Sequence, residues 1–262
     1  MTREIVQNDY SEMDRFELRI RRFYYVHHIK CCVTEKMIIS FFQRMILMRG
    51  WLMSNWTWLS GLASDLNVWE DELSVVDLDA EHTFISYAEV VPVLQDLYSL
   101  SAVKNADVLV GIDFSALVML KNLVNRPANQ KWILLAPILD FCHGEDAWPQ
   151  KQVLLMAKEV QKMPKVALQG ILDLFGPSEE VNQDLWMETA LKIKPESIAK
   201  GFEYLAEAKI EEPVSVPNCE VRFGKDDEWV TAPAVEAAKS LLNGAQVTVR
   251  PKVGHWPMSL IG

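Results

Sequence analysis

The stretch that most constrains this chain is 107–118, Asp-Val-Leu-Val-Gly-Ile-Asp-Phe-Ser-Ala-Leu-Val. An apolar run enters Gly111, Asp113 follows two positions on, and the small Ser115 sits two beyond that. This is the layout of a strand-to-helix elbow, Gly-x-Nu-x-Gly, in which a tight turn lifts one side chain above a sheet. Small neighbours are needed because the backbone is crowded there. Aspartate stands where a serine nucleophile is usual, and Ser115 where the second glycine is usual. The turn is kept while the nucleophile has changed, so function narrows to what an aspartate does at that point.

The flanking sequence alternates short apolar runs with helical patterns. Met45–Met48, Ser74–Leu78, Val108–Val110, Lys131–Pro137, Cys219–Gly224 and Ala245–Pro251 read as strands. Continuous apolar runs separated by helices predict an α/β fold with a mostly parallel sheet covered on both faces. Between Phe141 and Glu212 the pattern turns almost wholly helical, over Gln150–Phe175 and Val181–Lys209, with breaks at Gly176-Pro177 and Pro195. An all-helical insert after a strand predicts a cap over the open end of the sheet. The expected organisation is an extension at 1–35, a core at 36–141 and 213–262, and a cap at 142–212. Within the extension, Phe16, Ile20 and Phe23 are spaced for a short amphipathic helix, the alternative being a loose extension.

Composition bounds the partners. The 262 residues are 50% apolar, enough for one domain with an inserted sub-domain. A net charge of −10 and a pI near 5.1 argue against nucleic acid or an anionic membrane as partner. Residues 37–48 are apolar but too short and interrupted to span a bilayer. Cys31, Cys32, Cys142 and Cys219 form no CxxC pair and show no metal spacing, which predicts a reduced, cytoplasmic protein without metal or cofactor. His27, His28, His82 and His143 have no ligand-like spacing and read as structural or exposed. Trp51, Trp56, Trp58 and Trp69 read as core and cleft wall.

The clearest chemistry lies near the C-terminal end. Gly224-Lys225-Asp226-Asp227-Glu228-Trp229-Val230 follows one strand, and Gly254-His255-Trp256-Pro257 follows the next. A carboxylate and a histidine on successive strand-end loops make a base and its orienter: the acid fixes the tautomer and frees the other ring nitrogen. With Asp113 the chain order is nucleophile, acid, histidine.

From Met45 to Pro257 the chain resembles an α/β-hydrolase, most similar to the pimeloyl-ACP methyl ester carboxylesterases of biotin synthesis and related small esterases. The matching motifs are Arg49-Gly50-Trp51 at the family's His-Gly-Trp, Val76-Asp77-Leu78 at its Val-Asp-Leu-Pro strand, the elbow, Asp146-Ala147-Trp148-Pro149 opening the cap, Gly224/Asp227/Val230 at Gly-x-x-Asp-x-x-Val, and Gly254-His255. The resemblance implies Asp227 as acid, His255 as base and Asp113 at the nucleophile site. It implies Trp51 and Phe114 as backbone N–H donors to an oxyanion hole. It also implies a small ester or acyl substrate, in the family carried on acyl carrier protein. Arg49 for histidine, Asp113 for serine and a very short tail after His255 depart from the pattern.

Asp113 changes the chemistry open to such a site. Attack of a carboxylate on an ester carbonyl gives a high-energy mixed anhydride, so ordinary covalent ester hydrolysis is disfavoured. Attack on an sp3 carbon, as in the dehalogenase and epoxide-hydrolase branches of the fold, remains open. Those branches place Trp after the nucleophile or a Tyr pair on the cap; here the residue is Phe114, and Tyr204 is the only cap tyrosine. Ser115 is a poor substitute, since its side chain should point away from that of position 113. A third outcome is no catalysis, with His255 held as a cation between two carboxylates. Lysines 151, 158, 162 and 165 supply the cap with the positive charge that carrier-protein docking would use.

Overall fold

The computed structural model describes residues 53–143, 147–175 and 182–262, all within one unit, Met53–Gly262. Six strands make one sheet: β1 (Asn55–Leu59), β2 (Glu81–Ile85), β3 (Val108–Ile112), β4 (Lys131–Leu135), β5 (Val214–Gly224) and β6 (Leu242–Arg250). Their order is β2-β1-β3-β4-β5-β6, and every neighbouring pair is parallel. Parallel neighbours need crossover connections, and these cover both faces. That explains why β3 is buried at all five positions and β4 at all but Lys131. The expected α/β class, a parallel sheet flanked by helices, is the class observed.

Four of the expected strands overlap β3, β4, β5 and β6, those at β4 and β6 running one or two residues past the observed ends. Ser74–Leu78 is not a strand. It joins the end of a short helix, Glu70–Ser74, to a turn, and β2 comes next. Glu70, Asp71 and Glu72 in the first turn of that helix suit its positive end. Val75 and Leu78 are each 64% exposed, so the apolar pattern there does not mark a core-facing face. Val76-Asp77-Leu78 accordingly does not stand where the resemblance puts a strand. Met45–Met48, the extension at 1–35 and core residues 36–52 lie outside the described residues. β1 lies where the sequence shows only the tryptophan cluster. Its Trp56 and Trp58 stack at 5.8 Å and are buried with the rest of the strand after Asn55.

Seven helices matter to the site. α1 (Phe114–Lys121) follows β3. α2 (Gln150–Lys162), α3 (Pro164–Phe175), α4 (Gln183–Ala190) and α5 (Pro195–Glu207) lie between β4 and β5. α6 (Ala232–Leu241) follows β5, and α7 (Pro257–Ile261) ends the chain. The chain leaves β1 outward to β2 and returns to β3 on β1's other side. The reversal opens a crevice at the carboxyl ends of β1 and β3, where α/β sheets bind ligands. The helical insert is fastened at that end. Trp186 of α4 donates its indole N–H to Ser64 Oγ at 3.0 Å, just past β1. Tyr87 donates its hydroxyl to the Ser197 carbonyl of α5 at 3.1 Å. Gly201 makes room for this contact, because a Cβ there would lie 1.8 Å from the Tyr87 oxygen. Among the described residues no helix is long and apolar enough to cross a membrane.

Candidate active site

The elbow forms as the sequence implies. Asp113 continues the sheet through its N–H, which donates to the Leu135 carbonyl at 2.9 Å. It then turns sharply, with φ 40° and ψ −102°, a conformation costly for a residue with a side chain. Gly111 is required by crowding: a Cβ there would lie 2.3 Å from Met119 Sδ and 3.1 Å from the Ala116 backbone. Ser115 is buried, and its hydroxyl donates to the Ser60 carbonyl at the end of β1.

Asp113 is clamped through both carboxylate oxygens. Oδ1 accepts the backbone N–H of Leu62 at 2.8 Å and that of Phe114, the first residue of α1. Oδ2 lies 3.3 Å from His255 Nε2. The carboxylate also caps the positive end of α1. Gly61 allows the close approach, since a Cβ there would come within 2.2 Å of Oδ2. The expected Phe114 N–H is therefore at the site. The expectation at Trp51 lies outside the described residues, and the N–H that reaches Asp113 from the end of the first crevice strand belongs to Leu62. Ser60-Gly61-Leu62, directly after β1, carries the signal that could have found it: a small residue and a glycine at the exit of an apolar strand.

His255 completes the chain of contacts. Its Nδ1 lies 2.8 Å from Asp227 Oδ2. Asp227 Oδ1 accepts the backbone N–H groups of Trp229 and Val230, both at 2.8 Å. Asp226 is exposed and Asp227 buried, so only the second of the pair serves the site. Gly224 brings the two loops together, because a Cβ there would strike the Val253 and Gly254 carbonyls at 2.3 Å. The β5 and β6 loops are also laced by Lys225 N–H to Arg250 and Asp226 N–H to Val253. The three side chains at 113, 227 and 255 thus converge, from distant stretches, at the carboxyl edge of the sheet.

The group is sealed. Asp113, Asp227 and His255 are 1%, 6% and 2% exposed. Phe175, the last residue of α3, stacks on the His255 ring at 4.5 Å and 20°. Trp186, Trp229 and Trp256 meet Phe175 edge-on. The cavity lined by Gly61, Asp113, Phe175 and His255 measures about 10 Å³, the room of one water. Burial works to lower the His255 pKa. The Asp227 charge, the hydrogen bonds to Asp113 and Asp227 and the Asp113 charge outweigh it and carry the ring from 6.5 up to about 10. Burial first, and the Asp113 charge second, hold the Tyr87 hydroxyl well above its usual range.

The remaining described histidines are structural or exposed. His82 lies 2.9 Å from the Asp77 carbonyl through Nε2, and its Nδ1 accepts the Trp58 indole N–H at 3.0 Å. His143 pairs with Asp140 near the surface. Among the described residues no cluster of His, Cys, Asp and Glu is arranged to hold a metal.

No family model matches this chain. No curated protein matches it either. Solved structures do. An esterase from Exiguobacterium antarcticum superposes with a TM-score of 0.62 at 14% identity, over 76% of this chain and 84% of its own. A thermophilic esterase from Thermogutta terrifontis gives 0.59 at 16%, over 78% and 84%. An enol-lactonase from Burkholderia xenovorans gives 0.58 at 15%, over 77% and 84%. At such identities the likeness is one of architecture, and with the parallel sheet, the elbow and the helical insert it gives this chain the α/β-hydrolase fold.

Proposed function

We propose that this chain descends from carboxylic-ester hydrolases and that Asp113 has converted its site to aspartate-nucleophile hydrolysis, with 142–212 serving as the cap. The observation that carries the reading is the division of labour in the Asp113 carboxylate. Oδ1 is held by two backbone N–H groups, and Oδ2 faces the histidine. Those N–H groups are placed as an oxyanion hole, and the aspartate fills it with its own oxygen. An ester bound for serine-type attack finds neither a hydroxyl nor a vacant hole. Oδ2 is left to attack an sp3 carbon bearing a leaving group, or an epoxide carbon. The C–O bond to Oδ2 forms as the bond to the leaving group breaks, giving an alkyl ester of Asp113.

Hydrolysis of that ester follows from the same contacts. His255 gives its Nε2 proton to the opened epoxide oxygen or, with a halide, releases it alongside the departing ion; with the Asp113 charge removed by esterification the ring stays neutral and becomes a base. His255 takes a proton from water, and the oxygen attacks Cγ of Asp113. The negative charge builds on Oδ1 between the Leu62 and Phe114 N–H groups. The alkyl oxygen leaves, takes the proton back and departs as an alcohol, and Asp113 keeps one oxygen from water. The test is single turnover of 1-bromohexane and of styrene oxide in oxygen-18 water. Label in the peptide carrying Asp113, absent in Asp113→Asn, supports the route. Label found only in the product alcohol contradicts it.

A second reading is favoured by the one-water cavity: the site is a closed structural or ligand-holding remnant, with His255 locked between two carboxylates. Failure of both electrophiles to turn over, with no mass shift on Asp113, selects it. The ester-hydrolase ancestry of pimeloyl-ACP type, with its carrier-protein partner, would then describe origin rather than present activity.

A further inference from the structure

The turn that supplies the Leu62 N–H is strained and is held from outside itself. Ser60-Gly61-Leu62-Ala63-Ser64 leaves β1 and brings that N–H to Asp113 Oδ1 at 2.8 Å. Ala63, the next residue, is fully buried with φ at 53°, in the left-handed region that a side chain disfavours. Such a conformation persists only where its surroundings over-determine it. Inside the turn, the Ser64 N–H donates to the Gly61 carbonyl at 3.2 Å.

Ser64 is where the surroundings take hold. Its hydroxyl donates to the Leu62 carbonyl at 3.2 Å and accepts the Trp186 indole N–H at 3.0 Å. The directions are forced. An indole nitrogen only donates, so the Ser64 oxygen accepts from it and turns its own proton to the Leu62 carbonyl. Trp186 is fully buried and Ser64 is 7% exposed, so water competes little for either bond. Leu62 is thereby held at both ends, by Asp113 at its N–H and by Ser64 at its carbonyl. A second tie runs through Tyr87, whose N–H donates to the Ser64 carbonyl at 3.4 Å and whose hydroxyl donates to Ser197 of α5. Asp227 is held differently, by the Trp229 and Val230 N–H groups of its own loop.

From this chain of bonds we propose that Ser64 and Trp186 are positioning residues for the oxyanion hole: α4, docked on Ser64, sets the Leu62 N–H against Asp113 Oδ1. The hole is complete only while the helical insert is seated. Its use in hydrolysing the alkyl ester rests on the aspartate-nucleophile proposal; the way it is held does not. Attack by Oδ2 asks little of the Leu62 N–H, whereas hydrolysis builds charge beside it. The second step is therefore the one that waits for a seated insert.

The test is amide hydrogen exchange of the full chain, followed residue by residue by 1H–15N NMR. The Trp229 and Val230 N–H groups, which hold the other carboxylate, are the internal reference. Ser64→Ala and Trp186→Phe should each speed exchange of the Leu62 N–H by roughly tenfold relative to that reference, the worth of about one hydrogen bond. The double variant should be no faster than Ser64→Ala alone, because both changes cut the same chain of bonds. An unchanged Leu62 rate, a rise shared equally by Trp229 and Val230, or effects that multiply in the double variant overturns the proposal. Exchange is read without turnover. A failed oxygen-18 experiment therefore leaves this proposal standing, and failure here leaves the chemistry at Asp113 to that experiment.

Discussion

At the scale of single residues, the site depends on side chains that are missing as much as on those present. Gly61 is the sharpest case. Alanine there would place a carbon within 2.2 Å of Asp113 Oδ2. Gly61→Ala should cost about 1–3 kcal/mol, the usual range for overpacking a filled site, read from the urea midpoint at neutral pH. A variant as stable as the parent would mean that the carboxylate has another place to go. Asp113→Ser is the complementary change. It empties the hole between the Leu62 and Phe114 N–H groups and sets a hydroxyl beside His255. The variant should hydrolyse p-nitrophenyl acetate where the parent does not; equal rates in the two would show that position 113 is not the seat of the chemistry. The residues of the triad were legible in the sequence because each follows a strand, and two of those strand ends carry a glycine forced by close approach, Gly111 and Gly224. Leu62 was not, because its contribution is a backbone N–H and carries no side-chain signal.

At the scale of elements, the legible parts were those with continuous apolar runs. β3 and β4 lie in the middle of the sheet and are buried on both faces, so composition alone marks them. β1 and β2 are five residues each and mix polar with aromatic side chains, and β2 is the sheet's edge, with Glu81 and Thr83 exposed. Such strands owe their place to neighbours rather than to their own pattern. The helical insert was legible from its spacing, yet the role of its tip was not. Phe175 reads as one more apolar residue on α3, and only the fold brings it onto His255. Phe175→Ala should cost about 3–5 kcal/mol, the range for a buried phenylalanine, and should open the triad to solvent. The paired measurement is hydrogen exchange at the His255 ring, expected to quicken in the variant. Unchanged exchange would place the seal elsewhere.

At the scale of the whole molecule, the buried His255 between two carboxylates couples folding to pH. The folded pKa, about 10, lies above the unfolded value of 6.5. Below the unfolded value both states carry the proton and the contribution is present in full. Between the two values the native state keeps a proton that the unfolded chain has lost, so stability falls as pH rises. The slope should approach about 1.4 kcal/mol per pH unit, and the contribution is gone above the folded value. Asp113→Asn removes one of the two charges and should flatten that slope, as read from urea midpoints at a series of pH values. A parent protein whose stability is level across the window would contradict the account. Its central claim, that His255 is a cation bridging Asp113 and Asp227, is tested most directly by the 15N spectrum of the histidine rings near about pH 8, roughly 1.5 units above the ordinary histidine pKa. His255→Gln identifies the signals by their loss. The account predicts that both His255 ring nitrogens still carry protons there and lose one only near the folded value. A His255 ring with one bare nitrogen at that pH would contradict it.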